Sequence, residues 1–342
     1  MKRNIYWPKT ILVLTLVLVI GLGAITGCSA KKEAVVDDNV KQGEKKYYEI
    51  RIPDIYTPAS LYIPYVAAAK GFFEAEGIKP VFTGIIGPGQ HVAAVIGGSN
   101  DVGTMHVNRT INGIVAGGKI KAVVAAEETS EEFPHMEYVT LENSSLKEPE
   151  DLIGKKIGVV ALGGCNEYTP YEYLKKYTDI TDPKGKVEFV IVPAGKEEQA
   201  LRAGEVDVVG FHGHPADVFD RGGVRVFFDD YDVWGTVGGA CPWYFHKDFI
   251  EKDPKAVRAF VTAIAKTVNW VNENREEAKQ IHADWVDMDV EKVTIMNYAK
   301  DGIIKDDSIQ LWIDTLVQYG EVKSAVPLED IYTNEFNEFA KQ

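Results

Sequence analysis

Residues 61–85 read LYIPYVAAAKGFFEAEGIKPVFTGI. The first part, 61–77, carries apolar residues at helical spacing and closes on Gly77, a common residue past a helix end. The second part, IKPVFTGI at 78–85, is a short apolar run with the character of a strand. YYEIRIP, just upstream, reads as another strand, so this stretch is the helix and second strand of a βαβ unit. The same rhythm continues outward. GQHVAAVIGG is a helix, DVGTM a strand, NRTINGIVAGG a helix and IKAVVAAEE a strand.

The rhythm then breaks. MEYVTLEN is extended with no helix before it, and SLKEPEDLIG is a short capped turn. A second series follows: strand KKIGVV, helix YTPYEYLKKY, strand VEFVIVP, helix KEEQALRAG, strand DVVGFHG, helix PADVFDRGG and strand VRVFFDD. A glycine-rich return, GTVGGACPWYFHKDF, leads to long helices that begin at Asp253, a good N-cap, and Pro254, a good first helical residue. The pattern predicts an α/β protein of two lobes. Extended crossings near 136–142 and 239–247 join them, and the carboxy-terminal helices complete the first lobe. The boundaries are 47–138 plus 245–342 for lobe 1 and 139–244 for lobe 2.

The amino terminus has its own logic. Lys2, Arg3 and Lys9 precede an apolar run, Ile11 to Ile25. It is shorter than the about 20 residues of a spanning helix and fits a signal-peptide core. AITGC then resembles the lipobox of bacterial lipoproteins, with Ile25 where leucine is commoner. The resemblance implies cleavage of residues 1–27 and acylation of Cys28, palmitate included. The competing reading is an uncleaved membrane anchor with a chance cysteine. Residues 28–46 have no aromatics and read as a disordered tether. Cleavage removes three bases and no acids, taking the net charge from −14 to −17. So acidic a body argues against nucleic acid as a partner. Cys165 and Cys241 remain, too few for a disulfide scaffold.

YIPYVAAAKGFFEAEGIKPVF, GGSNDVGTM, LKEPEDLIGKKIGV and the later ALRAGEVDVV, in this order, resemble the substrate-binding proteins of ABC importers. The likeness is to the nitrate/sulfonate/taurine and thiamine-pyrimidine-precursor type, over about residues 47 to 300. It implies a two-lobed periplasmic-binding-protein type II fold, with two mixed, mostly parallel sheets joined by two hinge crossings. It also implies a receptor on the outer face of the cell membrane, held by its lipid, that closes over a small polar organic or sulfonate-like molecule and passes it to a permease. A ligand-sensing lipoprotein without a permease is the alternative, as is a receptor for a thiophilic or metal-containing ligand. Some relatives of this fold synthesise a thiamine pyrimidine and carry a cysteine-rich iron motif. That motif is absent here, as is a nucleophile elbow, so no enzyme and no cofactor are expected.

Ligands of open parallel sheets sit outside the carboxyl ends of the strands. That rule selects Tyr56 and Ser60 after the first strand, and Gly89 and Gln90 in IIGPGQ. It selects His106, Asn108 and Arg109 in MHVNRT, and Glu127 in AAEETSEE. In the second lobe it selects Cys165, Asn166 and Glu167 in LGGCNEYT, and His212 and His214 in GFHGHP; Trp243 lies near the return crossing. Arg109 suits a carboxylate or sulfonate, whereas Glu127 suits an amine. Cys165 is either a thiol activated at a helix start, a small buried side chain or half of a disulfide with Cys241. His212 and His214, two residues apart in an extended segment, share one side. They offer hydrogen bonds to a polar ligand, or ligation of a metal with Glu127, Glu128 or Cys165 completing the site, although no compact metal motif accompanies them.

Overall fold

The computed structural model describes residues 47–341. The expected signal peptide, Cys28 and the expected tether at 28–46 lie outside the described residues. The strands are β1 (Tyr48–Asp54), β2 (Ile78–Ile85), β3 (Val102–Thr104), β4 (Ile120–Glu128), β5 (Met136–Leu141), β6 (Lys156–Val159), β7 (Glu188–Ile191), β8 (Val208–His212), β9 (Val224–Asp229), β10 (Cys241–His246) and β11 (Asn297–Tyr298). The helices are α1 (Ile63–Ala69), α2 (Phe72–Ala75), α3 (His91–Ile96), α4 (Val107–Val115), α5 (Cys165–Tyr177), α6 (Glu197–Arg202), α7 (Ala216–Asp220), α8 (Asp230–Trp234), α9 (Lys247–Lys252), α10 (Pro254–Glu273), α11 (Arg275–Val286), α12 (Asp306–Gln318) and α13 (Leu328–Ile331).

The stretch at 61–77 folds as two helical pieces. Gly71, at φ 75°, breaks the run between α1 and α2. The long carboxy-terminal helix likewise divides at Asn274, whose φ of −133° leaves the helical region. Asp253 caps α10 through its carboxylate on the Ala256 N–H, and Pro254 fills the first turn, where no N–H is needed.

Three sheets result. β1 and β2 pair in parallel. A four-stranded sheet has the order β11-β4-β10-β3, and a five-stranded sheet has β7-β6-β8-β5-β9. β6 runs parallel to β7 and β8, as βαβ connections require. β5 and β10 run antiparallel to their neighbours. Each reaches its sheet from the other one, β5 with no intervening helix and β10 after the short α8.

The extended segments expected as crossings are therefore sheet strands. The chain passes between sheets just before each: through residues 129–135 after β4, and through 230–240 after β9. Both passages precede the boundaries read from the sequence.

Asp230 ties the two passages together. Its carboxylate accepts from the Thr129 hydroxyl and from the Met136 N–H at 3.0 Å. α10 lays a buried face, including Phe260, Ile264 and Val268, in the core shared with β1 and β4. α12 inserts Trp312 into a second core that includes Ile157 and Tyr168 of the five-stranded side. Among the described residues no helix is long and apolar enough to cross a membrane.

Candidate functional site

A cavity of about 150 Å³ opens where the two larger sheets face each other. That volume suits a body of roughly benzene's size. Its wall is built from strand ends. Tyr56, Thr57 and Ser60 follow β1, Pro88 lies between β2 and α3, and His91 opens α3. Met105, His106 and Arg109 span the step from β3 to α4, and Glu127 ends β4. From the five-stranded side come Ala161, Gly164, Cys165 and Asn166 at the start of α5, and His212 at the end of β8.

Two further groups enter through the antiparallel strands. β10 starts at the cavity because it runs against β4, and its register sets Cys241 opposite Glu127. β5 starts there because it runs against β8. Its register sets Met136 opposite His212, so His135, one residue earlier, meets the cavity.

The loop before α5 is shaped by Gly163, whose φ of 72° suits a residue without Cβ. Its N–H is held by the Glu167 carboxylate at 2.7 Å. Arg109 donates to the Leu162 carbonyl at 2.6 Å, and Asn108 to the Gly163 carbonyl at 3.2 Å, so α4 grips this loop from across the cavity.

Of the residues selected from the sequence, Tyr56, Ser60, His106, Arg109, Glu127, Cys165, Asn166 and His212 line the cavity. Gly89, Gln90, Asn108, Glu167, His214 and Trp243 do not. Asn108 and Glu167 are spent on the loop itself. Gln90 turns its side chain back onto the Gly87 N–H. Trp243 is buried in the core against Phe260 and Tyr62.

His212 and His214 do not share a side: Gly213, at φ 71°, turns the chain between them. His214 pairs with Glu137 at 2.9 Å and stacks on Phe219. The hydrogen bond to Glu137 raises its pKa. His135, Cys241, His91, Met105 and Met296 line the wall without having been selected as ligand contacts.

Burial governs the site's electrostatics. It lowers His106 and His212 to about 4 and His135 well below its ordinary value, so all three are neutral at pH 7. It raises Glu127 to about 7 and Cys165 to about 12, and lifts Cys241 as well. The position of Cys165 at a helix start does not make it a thiolate; desolvation outweighs the helix end.

Both cysteines are free. Cys165 Sγ lies 3.6 Å from His135 Nε2 and 3.8 Å from His212 Nε2, and Cys241 Sγ lies 3.9 Å from the same His135 nitrogen. His135 Nδ1 is buried without a hydrogen-bond partner and faces Glu127 Oε2 at 3.6 Å. Among the described residues two groups have metal-ligand spacing: His106, His135 and Cys165, and Glu127, His135 and Cys241, the donor atoms of each within 4.8 Å of one another. His106 has both ring nitrogens engaged, with Asn108 at 3.2 Å and the Gly238 carbonyl at 3.0 Å.

A family model described as NMT1/THI5 like matches residues 60–278, nearly two thirds of the chain. The chain belongs to the NMT1/THI5-like family. No curated protein matches its sequence. Solved structures share the family fold at low identity. The periplasmic aliphatic sulphonate binding protein SsuA from Escherichia coli is 18% identical with a TM-score of 0.65, covering 82% of this chain and 91% of its own. The ligand binding component of an ABC-type import system from Staphylococcus aureus, solved with zinc bound, is 14% identical with a TM-score of 0.69, covering 85% and 98%. The periplasmic nitrate-binding protein NrtA from Synechocystis is 14% identical with a TM-score of 0.64, covering 86% and 89%. This NMT1/THI5-like chain thus has the type II periplasmic-binding-protein fold.

Proposed function

We propose that this chain is an extracytoplasmic solute receptor of an ABC importer, closing two lobes over a small polar ligand and delivering it to a permease. The observation that carries this reading is the placement of the cavity. Its wall is contributed by both larger sheets, and among the described residues the chain passages between them run beside it at 129–135 and 230–240. A ligand bridging the sheets stabilises the closed arrangement, as hinge closure requires.

The lobes divide close to 47–138 plus 245–342 and 139–244, with the passages at their borders. Arg109 is the one Lys or Arg on the cavity wall among the described residues, and its guanidinium already serves the Leu162 carbonyl. Asp54 and Glu127 line the same wall. That balance weighs against a bare oxyanion such as nitrate.

The solved structures of periplasmic and ABC-import binding proteins that share this fold support the receptor reading. A thiol raised to about 12 by burial is a poor nucleophile at neutral pH, which weighs against cysteine catalysis.

In this reading Cys28 carries the lipid anchor. Mass spectrometry should find the mature chain starting at an acylated Cys28, and Cys28→Ala should release the protein from the membrane fraction. An unmodified Cys28 inside an uncleaved chain refutes the anchor.

The receptor is tested by small-angle scattering and melting across a panel of small solutes. A bound solute should reduce the radius of gyration and raise Tm with concentration. A solute seated in this cavity that leaves both unchanged refutes closure.

A further inference from the structure

We propose that Cys165, Cys241, His135 and His212 form a tetrahedral site for a divalent transition-metal ion of the zinc class, with Glu127 supporting His135 from behind. The proposal deepens the receptor reading, since it names the ligand class of the same cavity. It starts from the sulfur–nitrogen separations of 3.6, 3.8 and 3.9 Å among these four groups. Metal–sulfur bonds of about 2.3 Å and metal–nitrogen bonds of about 2.0–2.1 Å leave sulfur and nitrogen roughly 3.6 Å apart along a tetrahedral edge. These three sulfur–nitrogen edges therefore stand close to the spacing such an ion demands, and loading draws the remaining edges of the set inward. Two thiolates and two imidazoles are a ligand set for zinc-class metals and exclude magnesium and calcium, which take oxygen.

Charge selects the ion's valence. In the free protein Cys165 Sγ stands 3.8 Å from His212 Nε2 and Cys241 Sγ 3.9 Å from His135 Nε2, so with the ring hydrogen on Nδ1 each thiol has an imidazole lone pair to donate to. Loading breaks the two S–H bonds, releases both protons to solvent and forms two metal–sulfur bonds. Two imidazole nitrogens complete the coordination, and no electron is transferred. One dication replaces two protons, so the net charge of the buried cluster is unchanged. With both thiolates in place, a monovalent ion leaves an uncompensated negative charge there, and a trivalent ion a positive one, each costly away from water.

The second observation is the orphaned nitrogen. His135 is 2% exposed, and its Nδ1 lacks a hydrogen-bond partner while facing Glu127 Oε2 at 3.6 Å. With Nε2 on a metal, Nδ1 must carry the hydrogen, and it points at the carboxylate. This is the carboxylate–histidine–metal relay that fixes the tautomer and orientation of a ligating histidine. The donors also come from both sheets: Cys241 begins β10 of one, and His212 ends β8 of the other. One ion therefore draws the two sides of the cavity together.

The test uses the reduced full chain in detergent, carrying Cys28→Ala to silence the third cysteine, titrated with Co²⁺ without oxygen. One equivalent should produce tetrahedral ligand-field bands and a sulfur-to-cobalt charge-transfer band, and Zn²⁺ should displace it. Calorimetry in buffers of different ionisation heat should report two protons released per ion. Glu127→Gln should weaken binding by about 10–100-fold. Cys165→Ser and Cys241→Ser should each weaken it further and remove charge-transfer intensity. Melting of every variant without metal checks its fold, and His212→Asn, at a partly exposed position, supplies an independent loss if a serine variant does not fold.

A folded, reduced chain that binds neither Co²⁺ nor Zn²⁺ overturns the proposal, as does binding retained by the double serine variant. Scattering separates this from the receptor reading. Closure on a small organic solute by a chain that ignores metal overturns the metal site and leaves the receptor. Metal bound at these four residues without contraction supports the site and refutes the ion's role as the closing ligand.

Discussion

Asp230 is the side chain whose removal should most directly loosen the hinge. It is 1% exposed, and its carboxylate receives the Thr129 hydroxyl from one passage and the Met136 N–H from the start of β5. Asp230→Ala leaves both donors buried without acceptors, at about 1–3 kcal/mol each, so the loss should be about 2–6 kcal/mol. Asp230→Asn behaves differently. Its amide oxygen can take the Met136 N–H while its NH₂ donates to the Thr129 oxygen, so the cost at pH 7 should stay within about 1 kcal/mol.

The pH dependence separates the two roles of this carboxyl. Burial raises Asp230 from 3.8 to about 7. Between those values the folded chain holds a proton that the unfolded chain has lost, so this group's contribution to the unfolding free energy falls as pH rises. At about 1.36 kcal/mol per pH unit, it should fall by about 2–3 kcal/mol from pH 5 to pH 8, an upper bound because water penetration relaxes burial. Other groups titrate too, so the readout is the difference between the native chain and Asp230→Asn in urea unfolding at each pH. The asparagine variant should gain on the native chain as pH rises. Parallel pH profiles, or an alanine variant within about 0.5 kcal/mol of native, refute the reasoning.

Gly239 sits where the return passage touches the outgoing one: a Cβ there would overlap the Cβ of His135 and the hydroxyl of Thr129. Gly239→Ala should cost about 1–3 kcal/mol in chemical unfolding and weaken ligand binding by displacing His135; unchanged values for both would show the contact to be slack. His214→Ala, away from the cavity, should leave ligand affinity unchanged and cost about 1–3 kcal/mol, because His214 is itself part exposed but the Glu137 carboxylate it leaves unpaired is buried. Glu137 raises the folded pKa of His214, so that contribution is fully present below pH 6.5 and is lost as pH climbs through the folded value. A loss that grows toward alkaline pH contradicts this.

The alternation of strands and helices was legible because its signals are local. Apolar spacing, Asp253 before Pro254 and closing glycines act over a few residues, and α10 starts where they place it. The passages were less legible. An extended run in a linker and an extended run in a sheet have the same sequence character, and only pairing tells them apart. β5 and β10 pair with strands far away in the chain. The break of the first helix at Gly71 was likewise outweighed in the sequence by the strong apolar spacing on both sides of it.

The candidate site divides along the same line. The rule that ligands gather at the carboxyl ends of parallel strands points to His106, Glu127, Cys165 and His212, and all four line the cavity. It says nothing of His135 and Cys241 as contacts, since each lies at the amino end of a strand. In an antiparallel neighbour, however, the amino end lies beside its partner's carboxyl end, and the register shows it: Cys241 opposite Glu127, Met136 opposite His212. Any chain that crosses twice between two sheets and pairs antiparallel on arrival should bring the first residues of both crossing strands to the cleft. In this chain those positions hold a histidine and a cysteine, and they complete the donor set that Cys165 and His212 begin.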